Sequence, residues 1–111
     1  MIAKVSAEIL LSYGHRTPTF EELRLRRAEI LQVAHMRRAS RIAVFGSVAR
    51  GEARSDSDLD LLADSDEGAS LLDHAGLIQD LEQLLGVRVD LVSRRTLGDR
   101  DEPIRAEAVE L

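Results

Sequence analysis

Between Ser57 and Ala63 acids and leucines take turns: Asp58 and Asp60 alternate with Leu59 and Leu61. A period of two belongs to a strand with one face buried and the other open, because on a helix these four side chains would spread around the axis. The stretch is therefore expected to be a strand whose leucines enter a core and whose carboxylates share the opposite face. At a rise of ~3.3 Å per residue the two acids stand ~7 Å apart at their base. So short a strand cannot be stable alone, and the chain must supply further strands and a layer to cover the leucines.

The rest of the sequence offers them. Arg41 to Phe45 is short and apolar and predicts a buried strand ending at Gly46. Val87 to Val92 predicts a third. Thr19 followed by Glu22 has the capping-box spacing, opening a helix over about Phe20 to Arg38 with Leu23, Ile30, Leu31 and Ala34 near one face. Ser70 caps a second helix, Leu71 to Leu85, closed by Gly86. Pro103 suits the first turn of a last short helix reaching Val109. Residues 2 to 12 have the composition of a short helix, followed by the breakers Gly14 and Pro18. The expected division is an N-terminal extension over residues 1–18 and a domain over residues 19–111. Its expected class is α/β, a small mixed sheet of about three strands packed against helices. Element order alone leaves the strand pairing open.

A chain of 111 residues suits one hydrophobic core. That core is aliphatic, because Tyr13, Phe20 and Phe45 are the only aromatics. The absence of cysteine excludes disulfides, thiolate metal sites and cysteine nucleophiles, and suits a cytoplasmic protein. A formal charge of -5 argues against bulk nucleic-acid binding, which needs net positive surface. The arginines at 24, 26, 27, 37, 38 and 41 then read as a solvated helix face. Ile2 to Leu11 is short for a leader and is interrupted by Glu8, and no stretch is long enough to span a membrane. His15, His35 and His74 lack metal-ligand spacing, and Tyr13 is read as a packing residue ahead of an acceptor for self-modification.

On the third strand Asp90 falls opposite Val87, Val89 and Leu91. If that strand neighbours the acidic one, Asp90 completes a three-carboxylate cage with Asp58 and Asp60. Such a cage suits Mg²⁺, which takes hard oxygen ligands and fills its remaining positions from nucleotide phosphates, and it has room for two ions. Asp90 is then a ligand or the general base for an incoming hydroxyl. The run Phe45-Gly46-Ser47-Val48-Ala49-Arg50-Gly51 leaves a strand through glycine, so backbone amides and the Ser47 hydroxyl can approach phosphate oxygens. Two blander readings compete. Asp56, Asp58, Asp60 and Glu67 fall at positions 1, 3, 5 and 12 of a calcium loop, but Leu61 stands where that loop needs glycine. A solvated edge strand would explain Asp58 and Asp60 alone, but not their conjunction with Gly46-Ser47 and Asp90.

Gly46-Ser47, ten residues from Val48 to Ser57, then Asp58-x-Asp60 make a pattern that resembles the DNA polymerase beta type of nucleotidyltransferase. The segment FGSVARGEARSDSDLDLL is similar to its small prokaryotic branch, the minimal nucleotidyltransferase domains. The resemblance runs from about Arg37 to the C-terminal AEAVEL. It implies that Gly46 and Ser47 grip nucleotide phosphates, while Asp58 and Asp60 hold Mg²⁺ and Asp90 completes the site. The loop Asp64 to Gly68 departs from the aromatic and proline common there. The resemblance further implies an antitoxin partnered with a HEPN-domain ribonuclease toxin, with a hetero-oligomer as the possible assembly, which transfers AMP from ATP to a toxin tyrosine. Two alternatives stay open: transfer to a small hydroxylated molecule such as an antibiotic, and neutralisation of the toxin by binding alone.

Overall fold

The computed structural model describes residues 16–111, so the helix expected over residues 2–12, together with Tyr13 and His15, lies outside the described residues. The elements are α1 (Phe20–Leu25), α2 (Arg27–Met36), β1 (Ala39–Phe45), α3 (Gly46–Arg50), β2 (Leu59–Ser65), α4 (Leu71–Leu85), β3 (Val89–Ser93), α5 (Glu102–Glu107) and β4 (Val109–Glu110). Two 3₁₀ turns, Arg94–Thr96 and Asp99–Asp101, link β3 to α5.

The sheet has four strands in the order β3-β2-β1-β4. β1 runs antiparallel to β2 and β4, whereas β2 and β3 are parallel, as the crossover through α4 requires. The mixed α/β class is as expected, with one strand more than the sequence suggested. β4 is only two residues long, too short to display a period, and it forms because Val109 and Glu110 pair with Val44 and Ala43.

Alternation along the strands divides the core in two. Ile42, Val44, Leu59, Leu61, Ala63, Val89 and Leu91 form one face of the sheet and pack with Leu23 and Ile30 of α1 and α2 and with Leu77, Leu81 and Leu85 of α4. Each fully buried leucine here contributes ~1.5–3 kcal/mol relative to exposure. The opposite face carries Ala43, Phe45 and Leu62, covered by Leu97, Ile104 and Ala108 of the C-terminal segment. Cross-strand partners share a face, so Phe45, Asp60 and Asp90, aligned by register, lie on this second face.

The capping box expected at Thr19 and Glu22 forms at the start of α1, and Ser70 caps α4 as expected, with Asp73 returning the bond to make a second box. Gly86 closes α4 in the left-handed conformation, φ 70°. The helix expected over Phe20–Arg38 is instead two helices broken at Arg26. That residue leaves helical geometry while its buried guanidinium bonds Glu29 and the Leu84 carbonyl, tying the break to α4. The last helix stops at Glu107, because Val109 leaves it to pair with β1. The strands expected over 57–63 and 87–92 each begin two residues later, where the parallel β2–β3 pairing starts at Leu59 and Val89. Among the described residues no helix is long and apolar enough to cross a membrane.

Candidate active site

Three segments meet at one end of the sheet: the exit of β1, the entry of β2 and the entry of β3. The strands deliver Asp60 and Asp90 as direct register partners on neighbouring parallel strands. Asp60 in turn faces Phe45, the residue before the Gly46 turn. The pairing that element order left open thus joins the third strand to the acidic one. Asp58 stands just before β2 in extended loop, and its half-exposed carboxylate lies 3.9 Å from the guanidinium of Arg88, which projects into solvent at the start of β3.

Gly46 leaves β1 with φ +70° and opens α3. A Cβ built on it would overlap the Asp60 Oδ2, so the turn and the carboxylate are pressed together in a way only glycine allows. Its amide, one of the orphan donors of a helix start, is not open to a ligand. It donates to Glu107 Oε1 at 2.6 Å, while Glu107 Oε2 accepts from Arg50 Nη1 at 2.8 Å. Arg50 also reaches Glu52, at 3.0 Å. The charge that the sequence offered near the turn is therefore already paired. Ser47, half-buried in the first turn of α3, is the next position along.

Crowding shows in the electrostatics. The Asp60 carboxyl is pushed up from its ordinary range, first by burial and then by the charges of Asp90, Asp58 and Glu107, with Arg50 opposing. Glu107 moves the other way, held ionised chiefly by the Arg50 hydrogen bond and then by the Gly46 amide. Among the described residues no three carboxylate or imidazole groups already converge to ligand distance. Yet the donors are hard oxygens, two of them are paired across strands, and a cation there would offset the charges crowding Asp60. That donor set fits Mg²⁺, and Asp58, loosely paired with Arg88 here, would complete it by turning its side chain.

The structure brings Gly46, Ser47, Asp58, Asp60 and Asp90 to one end of the sheet. Sequence reasoning missed Glu107, which it placed in the last helix without a role, and Arg88 as the partner of Asp58. Neither carries a motif: residue 107 is distant from residue 46 in the chain and meets it only through the fold.

The sequence model of the nucleotidyltransferase domain matches residues 21–110. The protein adenylyltransferase MntA of Thermococcus cleftensis is 55% identical over 56 residues, which are 50% of this chain and 57% of that protein. The chain thus spans little more than half the length of this curated relative. A solved structure described as a candidate minimal nucleotidyltransferase superposes with a TM-score of 0.75 at 55% identity, covering 85% of this chain and 97% of that one. The crystal structure of a toxin–antitoxin with AMP-PNP superposes at 0.64, with 21% identity over 75% of this chain and 69% of its own, a likeness of fold.

Proposed function

The chain belongs to the nucleotidyltransferase domain family, and we propose that it transfers AMP from Mg·ATP to a hydroxyl of a partner protein, a tyrosine of a HEPN-type toxin, and so acts as an antitoxin. One observation carries the reading: Asp60 and Asp90 face each other across parallel strands, with the Gly46-Ser47 turn pressed against Asp60. The catalytic domain is taken as residues 19–111, working in the cytoplasm.

In this reading the Ser47 hydroxyl and the amides that follow Gly46 bind triphosphate oxygens. Asp58, Asp60 and Asp90 would hold one or two Mg²⁺ ions, which when bound neutralise charge on the triphosphate. The acceptor oxygen forms a bond to the α-phosphorus as the bond from that phosphorus to the departing pyrophosphate breaks. Asp90 takes the hydroxyl proton, for it is the more exposed of the facing pair and open to an incoming side chain. A protein acceptor is supported by the name of the Thermococcus relative, and the toxin partner by the resemblance to minimal nucleotidyltransferase domains.

The test is incubation of the full chain with Mg·ATP and the partner encoded beside it, followed by mass spectrometry of the partner. An AMP adduct on tyrosine, lost with Asp58→Ala, is expected. An unmodified partner, neutralised equally by the wild type and Asp58→Ala, would leave binding alone as the mechanism.

A further inference from the structure

The segment just before the first helix grips the loop that presents Asp58. Thr17 is buried, 7% exposed. Its amide donates to the Ser55 carbonyl at 3.1 Å, and its hydroxyl donates to the Ser57 carbonyl while lying 3.3 Å from that of Ser55. Pro18 beside it is fully buried. On the other side Arg16 pairs with Glu22 of α1 at 2.7 Å, and Thr19 caps the same helix, so the grip is anchored in the helical layer.

The gripped loop needs such a hold. Asp58 precedes the first paired residue of β2, so the ladder fixes it from the C-terminal side only, through the Leu59 amide bonded to the Arg88 carbonyl at 2.9 Å. On the N-terminal side the loop has a local turn, in which the Ser57 amide donates to the Arg54 carbonyl at 3.1 Å and the Ser57 hydroxyl accepts from the Arg54 amide at 2.9 Å. That turn sets the loop's shape, and Ala53 ahead of it packs against the core, but neither ties the backbone beside Asp58 to the rest of the domain. Thr17 does, at the carbonyl of the residue immediately before Asp58. Thr17 also lines, with Ser55, Asp56, Ser57, Asp58 and Arg88, a cavity of about 460 Å³ that opens beside the carboxylate.

We propose that Thr17 is a positioning residue for Asp58, so that the last residues of the N-terminal extension, which precede the stretch matched by the family, serve the metal-binding end of the site. The proposal rests on the reading of Asp58 as a metal ligand. A partner bonded directly to a metal ligand is worth about 10–100-fold in metal affinity; Thr17 acts one residue removed, on the Ser57 carbonyl, so its effect should fall below that range.

The test is titration of the full chain with Mn²⁺ without nucleotide, following the loss of free-ion signal by electron paramagnetic resonance, which needs no acceptor. The wild type, Asp58→Ala, Thr17→Val and Thr17→Ser are compared, each with its thermal midpoint. Thr17→Val, which removes the hydroxyl at constant shape, is expected to weaken Mn²⁺ binding several-fold, and Thr17→Ser to restore it. If Thr17→Val fails to fold, Thr17→Ala is read against Thr17→Ser in its place. Should Asp58→Ala weaken binding while the Thr17 variants only lower the thermal midpoint, Thr17 is structural and the inference is overturned. Should wild type and Asp58→Ala bind Mn²⁺ alike, the ligand reading of Asp58 falls first and this inference with it.

Discussion

The backbone of Gly46 lies against the carboxylate of Asp60, so closely that the smallest side chain at residue 46 would overlap Oδ2. One contact thus joins the two halves of the candidate site, the turn proposed to meet phosphate and the acid proposed to meet metal. Gly46→Ala faces two penalties at once, that overlap and a left-handed φ of +70°. The conformational part alone costs ~1–2 kcal/mol. The expected result is a thermal midpoint lowered by several degrees and loss of AMP transfer. A Gly46→Ala chain with wild-type stability and turnover would show that the turn tolerates a side chain and that the close approach is not required.

Asp60 is expected to cost stability where it is ionised. Burial and three neighbouring carboxylates raise its pKa above that of an unfolded chain. The folded state therefore binds this proton more tightly, so the contribution favours folding below the unfolded value and is lost as pH rises through the raised folded value. Asp60→Asn should accordingly raise the thermal midpoint at pH 7 in the presence of EDTA while abolishing transfer. The gain should shrink towards zero on acidification. A gain that grew as pH fell would reverse the sign of the argument.

Glu107 should matter to nucleotide binding although no motif contains it. Its two oxygens hold the Gly46 amide and Arg50, both at the phosphate turn. Glu107→Ala leaves a buried amide without its acceptor and leaves Arg50 with Glu52 as its remaining partner, at a cost of ~1–3 kcal/mol. The KM for ATP is expected to rise several-fold with a smaller change in kcat, because the acids that act on the acceptor are untouched. Glu107→Gln keeps an acceptor for the amide and should fall between. Equal KM values for all three chains would remove Glu107 from the site.

What was legible in advance follows from the range of each interaction. Asp60 and the leucines around it were readable because strand period is local, and the Thr19–Glu22 capping box and the Ser70 cap because each spans only a few residues. The face of Asp90 was readable too, but its neighbour was not, since parallel pairing is fixed by the α4 crossover rather than by either strand. Helix periodicity ran through Arg26, and nothing local announced that its guanidinium would seek the Leu84 carbonyl. β4, Glu107 and Thr17 were invisible for the same reason. Each acts through partners far along the chain, and a two-residue strand has no pattern to read.

Arg88 offers the last test, because it sets a cation against a carboxylate that a metal would also claim. The pair is loose, 3.9 Å apart, with Arg88 87% and Asp58 53% exposed. Exposed pairs of this kind are worth ~0–1 kcal/mol, so Arg88→Ala should leave the thermal midpoint almost unchanged. The same weak attraction opposes the turn of Asp58 towards Mg²⁺, and removing it should shift half-saturation to lower Mg²⁺ concentration by about two-fold, within that energy range. High salt should erase the difference between the two chains by screening the exposed pair, whereas a contact that depended on shape would survive it. If Arg88→Ala instead raises the Mg²⁺ requirement at low salt, Arg88 helps to hold the triphosphate, and its place beside Asp58 serves the nucleotide rather than competing with the metal.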